Sequence, residues 1–446
     1  MRRADRSMDS KQGRRLRAGA VIGAAATVVA TLLPATPADA TPRFTMTRIA
    51  GASRYATAAN IAVDTFGKAN GVILATGETF PDALSASFLA GYVNSPILLA
   101  QRTSIPQATK DALTTLGTKE VVILGGTAAI SSDVENQLKT SFDVVRLSGQ
   151  DRFATAANVA LAVNSGDIGE LDGQRTAFLT YGYGFADALA VGPLSFAGRF
   201  PILLNGRGAL GTPAKVALDR LDITHVVIVG GIISSTMQDE LTQMGITSER
   251  VQGADRFATA AAVADFALAR LHFVNDHINM ARGVDPSNPE LGFADALAGS
   301  VHAGTEHVPL LLTHPTELSS ATLAWLEAHA PTLATGDILG GESAVSKTVQ
   351  SAATSAARRV TGTISEFDVA KHTYTLTFGD GDPMTTVTYA STDAFTVDGA
   401  NATQAQFEAA LTIGDRAKFT TAGGARHQLT NIDPSSSTST TSTTAP

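Results

Sequence analysis

Three arginines stand in one recurring motif, Gly-x-x-Arg-[Phe/Tyr]-Ala-Thr-Ala, and arginines in this setting can bind an anion. We call them the motif arginines: Arg54, Arg152 and Arg256. Each lies at a turn that enters a predicted helix, where the planar guanidinium can hold a carboxylate or phosphate through two parallel hydrogen bonds. For one motif alone, a salt bridge to a nearby aspartate or packing of the side-chain stem is the simpler explanation. The threefold recurrence favours a ligand or a contact between repeats.

A second motif, Phe-x-Asp-Ala-Leu, also occurs three times and places an aspartate early in a predicted helix. The motif aspartates are Asp82, Asp187 and Asp295. An acidic group in a first helical turn gains about 0.3–1 kcal/mol from the helix dipole, so stability alone can explain these residues. If they face the motif arginines across a sheet edge, the preoriented ion pairs suit recognition of polar glycan groups.

The third recurring feature is a pair of glycines after a predicted strand. The glycine pairs are Gly125 with Gly126, Gly230 with Gly231, and Gly340 with Gly341. Free backbone amides before a helix N-terminus can form an anion nest. A tight turn that requires positive φ explains glycine at these positions equally well. The Walker pattern is absent from the sequence, and Gly-x-Gly-x-x-Gly occurs only once, at 206–211, without recurring in the other repeats, so nucleotide binding has little support.

The sequence contains no recognisable catalytic or metal-binding pattern. Gly-x-Ser-x-Gly and His-Glu-x-x-His are both missing, and no histidine recurs in all three repeats. His302, His307 and His314 occur close together but lack the spacing of a zinc site, so we expect them at the surface or in loops. We therefore expect no cofactor, no metal and no enzymatic activity.

Short apolar runs alternate with helical patterns around these motifs. In the first repeat, "GVILAT", "PILLA" and "EVVILGG" are typical of strands buried on both faces, and helices are predicted between them. Ser132 and Glu135 match a capping box that would open a helix. Strands and helices that alternate at this spacing predict an α/β fold of doubly wound parallel sheets. The motifs then follow the carboxyl ends of strands, the edge where such sheets bind ligands.

The repeat period of about 100 residues is long enough for each unit to bury its own core, so we expect three tandem domains. The predicted organisation is a signal peptide at 1–40, repeats at 47–145, 146–249 and 250–356, a small β domain at 359–432, and a Ser/Thr-rich disordered tail at 433–446.

The first 40 residues have the composition of an export signal. A basic start is followed by the apolar run Ala18 to Leu33 and by a small-x-small cleavage site at 38–40. The run is short of the roughly 20 residues that a membrane span needs, so we expect no membrane insertion after cleavage. Arg14 and Arg15 leave open the choice between the general and the twin-arginine export route.

The charge balance excludes several partners. The full chain carries a net charge of −8, and without residues 1–40 it has 26 basic and 38 acidic side chains, a net charge of −12. Nucleic acid and anionic membranes require a basic face, so neither is expected as a partner. The chain has no cysteine, so a secreted form would depend on its apolar cores rather than on disulfides.

The recurring motifs resemble those of a known family. Residues from about 47 to 350 are similar to three tandem cell wall binding repeats of the type 2 family, found on secreted proteins at the cell surface of Gram-positive bacteria. The resemblance implies repeats packed around a pseudo-threefold axis and non-covalent attachment to an anionic wall polymer. The third repeat departs from the pattern through a longer polar segment, "RGVDPSNPELG", and the second has a different sequence after Gly231, so either pocket is expected to be reshaped.

Residues 359–432 show shorter strand patterns. A hairpin, further short strands and a helix near Gln404 to Leu411 predict a small barrel similar to OB-like domains. Two function classes stay open. The first is a binding and anchoring protein of the cell envelope. The second is a wall-acting hydrolase of the muramoyl-alanine amidase type, with its activity in or near 359–432. The missing nucleophile and metal patterns favour the first.

Overall fold

The structure is a computed structural model that describes residues 44–288, 291–330, 332–357, 361–377, 385–420 and 426–430. The predicted signal peptide and the predicted tail lie outside the described residues. Within the described part of the chain, no helix is both long enough and apolar enough to cross a membrane.

The first repeat forms a parallel sheet with the strand order β3-β2-β4-β5. The elements from the start of the described chain are β1 (Thr45–Ile49), α1 (Arg54–Phe66), β2 (Gly71–Thr76), α2 (Ala86–Val93), β3 (Ile97–Ala100), α3 (Gln107–Leu116), β4 (Glu120–Leu124), α4 (Ser132–Lys139) and β5 (Asp143–Leu147). A 3-10 turn, Pro81–Ala83, precedes α2. The winding reverses between β2 and β4, which makes this position the topological switch point of a doubly wound sheet.

The second repeat repeats this order as β8-β7-β9-β10. Its elements are α5 (Arg152–Ala160), β6 (Glu170–Leu171), β7 (Gln174–Tyr181), α6 (Ala186–Ala190), α7 (Gly192–Gly198), β8 (Ile202–Asn205), α8 (Thr212–Arg220), β9 (His225–Val229), α9 (Thr236–Gln243) and β10 (Thr247–Val251). The short strand β6 pairs antiparallel with β7 as an addition to the parallel sheet.

The third sheet has the order β12-β11-β13-β1, so its fourth strand comes from the beginning of the described chain. Its other elements are α10 (Arg256–Arg270), β11 (His277–Arg282), α11 (Ala294–Glu306), β12 (Leu310–Thr313), α12 (Ser320–His329), β13 (Thr335–Leu339) and α13 (Lys347–Ala356). β1 is parallel to β13, with Ile49 opposite Leu339. β5 and β10 hold the same place in the first two sheets. In every sheet, the fourth strand therefore leads directly into the next motif arginine, and β1 brings the third sheet into contact with the first repeat.

Part of the arginine motif is explained by local structure. In each repeat, the motif glycine N–H donates to the motif threonine Oγ1 at 3.0–3.1 Å. A Cβ atom on that glycine would lie only 2.3–2.5 Å from the backbone and Cβ of an alanine in the same motif. The residue before each motif arginine caps the helix by accepting a backbone N–H. These glycines and threonines fix the turn and therefore the starting direction of the arginine side chain.

The strands form the core as the sequence predicts. The "PILL" segments lie in β3, β8 and β12, where every residue of the strand is buried. The capping box prediction was wrong by one residue, because the Ser131 side chain, not that of Ser132, accepts the Val134 N–H at the start of α4.

The C-terminal segment forms a separate sheet with the order β16-β15-β14-β19-β20-β17-β18. Its elements are β14 (Thr361–Asp368), β15 (Thr373–Thr377), β16 (Thr385–Thr388), β17 (Ala394–Val397), β18 (Ala400–Ala402), α14 (Gln404–Ala410), β19 (Arg416–Thr420) and β20 (Arg426–Thr430). The predicted hairpin is present as β14 and β15. The further short strands predicted at "TTVTYAS", "FTVDG" and "DRAKFTT" are β16, β17 and β19, whereas β18 and β20 were not predicted.

Candidate functional site

The motif aspartates pack against the first glycine of each glycine pair, at the switch point of each sheet. In the first repeat, a Cβ atom on Gly125 would lie 2.5 Å from Oδ2 of Asp82. The equivalent distances are 2.1 Å for Gly230 with Asp187 and 2.7 Å for Gly340 with Asp295. These first glycines have φ values of 93°, 91° and 110°, a region that favours glycine. Glycine is therefore required both for the backbone conformation and for the close approach of the carboxyl group.

The second glycine of each pair lies further out. Gly126 and Gly341 are half-buried, and a Cβ atom on either would meet no atom within 4 Å. Gly231 is exposed. The sequence predicted both glycines of a pair as one site, and the structure separates them into a packed first member and an open second member.

Each motif arginine connects its own helix to the end of a strand in the same repeat. The half-buried guanidinium groups donate to backbone carbonyl oxygens directly after β2, β7 and β11. These bonds join Arg54 to Gly77 at 2.7 Å, Arg152 to Gly182 at 2.9 Å and Arg256 to Gly283 at 2.8 Å. One nitrogen of each arginine is thereby fixed to the backbone.

The motif arginines also reach the preceding repeat. The guanidinium of Arg152 lies 5.8 Å from the ring centre of Phe80, and that of Arg256 lies 5.6 Å from Phe185. Because each arginine follows the fourth strand of the preceding sheet, it stands at the same carboxyl edge as the motif aspartate of that sheet. The structure therefore groups an arginine from one repeat with the aspartate and glycine of its neighbour.

The phenylalanines of the second motif meet one another. The ring centres of Phe80, Phe185 and Phe293 are separated by 5.5, 6.3 and 6.4 Å. Edge-on and tilted aromatic contacts at these distances are favourable. One residue from each repeat thus contributes to a shared apolar centre, with the guanidinium groups of Arg152 and Arg256 beside it.

Burial controls the electrostatics of two motif aspartates, Asp187 and Asp295. It raises the pKa of Asp187 to about 6, and the nearby positive charge of Arg256 opposes this rise. Burial likewise raises the pKa of Asp295, with Arg282 and Arg54 acting in the opposite direction. The influence of Arg256 on Asp187 and of Arg54 on Asp295 crosses the boundary between repeats, as the strand arrangement requires.

Sequence reasoning missed a second set of recurring arginines, three residues before each motif glycine. Each donates to the carbonyl oxygen of the first glycine in a glycine pair, at 2.7 Å in all three cases. These residues are Arg48, Arg146 and Arg250. The available signal was that an arginine stands three residues before the motif glycine in all three repeats. They hold the glycine turn from the neighbouring fourth strand, so their role is structural.

The third pocket differs from the others, as its longer loop predicts. Arg282 Nε lies 3.6 Å from Asp295 Oδ2, and Arg282 also donates to Asp285 at 3.0 Å. In the second repeat, Tyr183 is exposed and its ring centre lies 4.9 Å from the Arg152 guanidinium. Each pocket therefore combines the shared arginine, aspartate and glycine with side chains of its own.

One expectation about histidine was wrong. His302 is buried in α11 with only 4% of its surface exposed, whereas His307 is exposed and His314 is half-buried. His302 lies beside other groups that are able to bind a metal, at a distance in sequence that local spacing rules do not detect.

Comparison with known proteins gives a family. The family model described as "Cell wall binding domain 2" matches residues 48–135, 146–237 and 250–350. This description supports wall association and a wall polymer as partner. The matched regions correspond to the three parallel sheets and carry all the motif residues described above.

Relatives and solved structures agree with this match. The chain is 29% identical over 276 residues to N-acetylmuramoyl-L-alanine amidase LytC of Bacillus subtilis, covering 61% of this chain and 51% of that protein. It is 29% identical over 306 residues to the amidase enhancer of Bacillus subtilis, covering 68% and 39%. The chain therefore spans about half of the first relative and about two fifths of the second.

The fold is similar to those of Cwp6 and Cwp8 from Clostridium difficile. Both comparisons have a TM-score of 0.61 at 24% identity and cover 70% of this chain, with 48% of Cwp6 and 51% of Cwp8 covered. The family match extends over more than half of the chain and includes all three repeats. This chain belongs to the cell wall binding domain 2 family.

Proposed function

We propose that this protein is a secreted cell-envelope protein of a Gram-positive bacterium that attaches non-covalently to the wall by binding an anionic wall polymer. Binding takes place at three carboxyl-edge pockets, each with a motif arginine, a motif aspartate and a glycine pair. The observation that carries this proposal is the threefold arrangement of half-buried guanidinium groups at open sheet edges.

The arginines retain donors for a ligand. Each uses one nitrogen for a backbone carbonyl oxygen. Their other guanidinium nitrogens have no hydrogen bond to any residue that the structure describes. An arginine whose stem is fixed in this way loses less conformational freedom when it binds a phosphate or carboxylate. The open second glycines provide room beside it.

We also propose that the three repeats pack around a pseudo-threefold axis that passes between the rings of Phe80, Phe185 and Phe293. Two observations support this arrangement: the similar ring separations, and the pairing of β1 with β13, which gives the third sheet the same fourth strand as the others. Head-to-tail contacts that rotate by a third of a turn close into a ring.

The experiment compares binding to isolated walls before and after their anionic polymers are removed by acid or base extraction. The purified chain from Thr41 onward should sediment with intact walls and stay in solution with stripped walls. Equal retention by both would exclude an anionic polymer as the ligand and direct attention to peptidoglycan itself.

The alternative is a wall-acting hydrolase with its activity in or near residues 359–432. The name of one relative, an amidase, favours it, and this chain covers about half of that protein. In the C-terminal sheet, His427 is fully buried between Asp393 and Tyr374. That position suits a core residue better than a group that must reach a glycan. Release of soluble wall fragments by the purified chain would support the alternative.

A further inference from the structure

Two histidines and two carboxylates converge beside the strand that joins the beginning of the chain to the third sheet. We call His277, His302, Glu306 and Asp337 the His277 cluster. Oδ2 of Asp337 lies 3.2 Å from Nε2 of His277 and 3.4 Å from Nε2 of His302. Oε2 of Glu306 lies 3.7 and 3.5 Å from the same two nitrogens. β11, α11 and β13 each contribute, so the cluster depends on the fold rather than on local spacing.

Three of these residues, His277, Glu306 and Asp337, have ligand atoms that all lie within 4.8 Å of one another, which is close enough for one metal ion. Zn²⁺ binds histidine nitrogen and carboxylate oxygen at about 2.0–2.1 Å, which places tetrahedral ligands about 3.3 Å apart. The four separations given above lie between 3.2 and 3.7 Å. His302 contacts both carboxylates but lies outside this group, so its ring would have to move toward His277 to become the fourth ligand of a tetrahedron.

The outer hydrogen bonds hold the imidazoles in a metal-binding orientation. Thr65 donates its hydroxyl proton to the Ile61 carbonyl at 2.7 Å and lies 2.9 Å from Nδ1 of His302, so it accepts from that nitrogen. His302 then directs an unprotonated Nε2 at the carboxylates whenever the imidazole is neutral. Nδ1 of His277 is bonded to Thr335 at 2.7 Å. Such contacts typically orient metal-binding histidines.

His302, Asp337 and Asn279 are polar residues at positions that are apolar in the first two repeats. His302 is seven residues after its motif aspartate, where the first and second repeats have Leu89 and Leu194. Asp337 pairs with Asn279, whereas the equivalent strand pairs join Ile73 to Val122 and Phe178 to Val227. Asn279 is fully buried, and neither atom of its side-chain amide has a hydrogen-bond partner among the described residues. Buried polar groups cost stability unless they are satisfied, so a bound ligand gives this replacement a reason.

We propose that the His277 cluster binds one divalent cation of the Zn²⁺ class, held by Nε2 of His277 and by one oxygen each of Glu306 and Asp337, with Nε2 of His302 as the fourth ligand once its ring moves toward His277. The site would also tie the beginning of the chain to the third repeat. Asp337 accepts a hydrogen bond from Thr47 of β1, and His302 donates to Thr65 of α1. Side-chain exposures of 5% for His302 and 39% for Glu306 indicate entry from the Glu306 side. The proposal concerns stability and is independent of the wall-binding pockets.

The test uses the untagged chain from Thr41 onward, stripped with a chelator and titrated with ZnCl₂ by calorimetry, followed by thermal melts. We expect one Zn²⁺ per chain and a rise in Tm of roughly 5 °C at a hundredfold excess over Kd. The double variant His302→Leu with Asp337→Val restores the residue types of the first repeat and should fold, but it should lose both the stoichiometric binding and the Tm response.

His225→Gln is the matched control, because His225 is bonded to a threonine and a glutamate in the second repeat but belongs to no such cluster among the described residues. It should keep the full Zn²⁺ response. The proposal is overturned if wild type binds no Zn²⁺, or if the double variant binds it as well as wild type does. An unchanged wild-type Tm in Zn²⁺, with a double variant at least as stable, would identify the cluster as a metal-free polar network.

Discussion

The first and third repeats share a strand order and an arginine–aspartate–glycine pocket, yet their interiors beneath the second motif differ. In the first repeat, Leu89 and Ile73 fill this position with apolar side chains. In the third, His302 and Asn279 stand in their places. The pocket at the sheet edge and the interior below it are therefore under separate constraints. Residues that recur in all three repeats indicate a shared role, and residues that differ in one repeat indicate a role specific to that repeat.

The largest effect should follow from placing a third-repeat residue in the first repeat. Leu89→His puts an imidazole into an apolar interior without the carboxylate and threonine partners that His302 has. We expect a loss of roughly 4 kcal/mol in the free energy of unfolding, from lost packing and an unsatisfied polar group. Urea unfolding measures it. A loss below about 1 kcal/mol would show that the two interiors are interchangeable.

An alanine substitution should destabilise the protein much more at the first glycine of a pair than at the second. Gly125→Ala forces a Cβ atom into positive φ and against Asp82, so we expect a loss of about 3 kcal/mol. Gly126→Ala is the matched control and should change stability by less than about 0.5 kcal/mol, because its Cβ atom meets open space. Thermal melts of the two variants separate these outcomes, and similar losses in both would contradict the geometry.

Asp187 should make stability depend on pH. Its pKa is raised to about 6 from 3.8, so the folded state holds the proton more tightly than the unfolded state. The contribution of protonated Asp187 to the free energy of unfolding is therefore fully present below about pH 4 and is lost as the pH rises through 6. Asp187→Asn lacks this decline, and its stability relative to wild type should grow by about 2 kcal/mol between pH 4 and 7.5. A pH-independent difference would mean that Arg256 fully compensates the burial of the carboxylate.

The salt concentration should have the smallest effect of these tests, and the quantity it changes is wall retention. A chain with a net charge of −12 from Thr41 onward approaches an anionic wall against repulsion, while its close ion pairs attract. Screening weakens both. We expect wall retention to change by less than about threefold between 50 and 200 mM NaCl, whereas a basic protein with many phosphate contacts loses several orders of magnitude. A steep loss of retention would indicate a broad basic surface instead of three local contacts.

Local patterns predicted much of the fold. Continuous apolar runs predicted β2, β3 and β4, and each motif arginine begins a helix as expected. The pairing of β1 with β13 was not predictable, because the two strands are almost 300 residues apart and their pairing depends on how the repeats meet. For the same reason, the sequence left open whether a motif arginine faces a nearby aspartate, a ligand or another repeat, whereas the structure groups Arg256 with Asp187 and Arg54 with Asp295 across repeat boundaries.

The His277 cluster was missed because metal motifs are recognised by local spacing, and its members come from three separate elements. Two weaker signals were present. His302 and Glu306 are four residues apart on a helix, and Asp337 lies in a strand whose counterparts are apolar. Each alone is compatible with an exposed face, and only the pairing of β11 with β13 brings them together.

The most direct test of the central claim is wall retention of the triple variant Arg54→Ala, Arg152→Ala and Arg256→Ala. A matched control removes three exposed cations instead, Lys110, Lys119 and Arg220, of which Lys119 and Arg220 lie toward the opposite sheet edge. A triple Arg→Lys variant keeps the charge but loses the planar fork. We predict at least a tenfold loss of retention for the alanine variant with a cooperative melt preserved, an intermediate loss for the lysine variant and none for the control. Normal retention by an alanine variant that melts much earlier would contradict the claim, because the motif arginines would then act as struts between repeats.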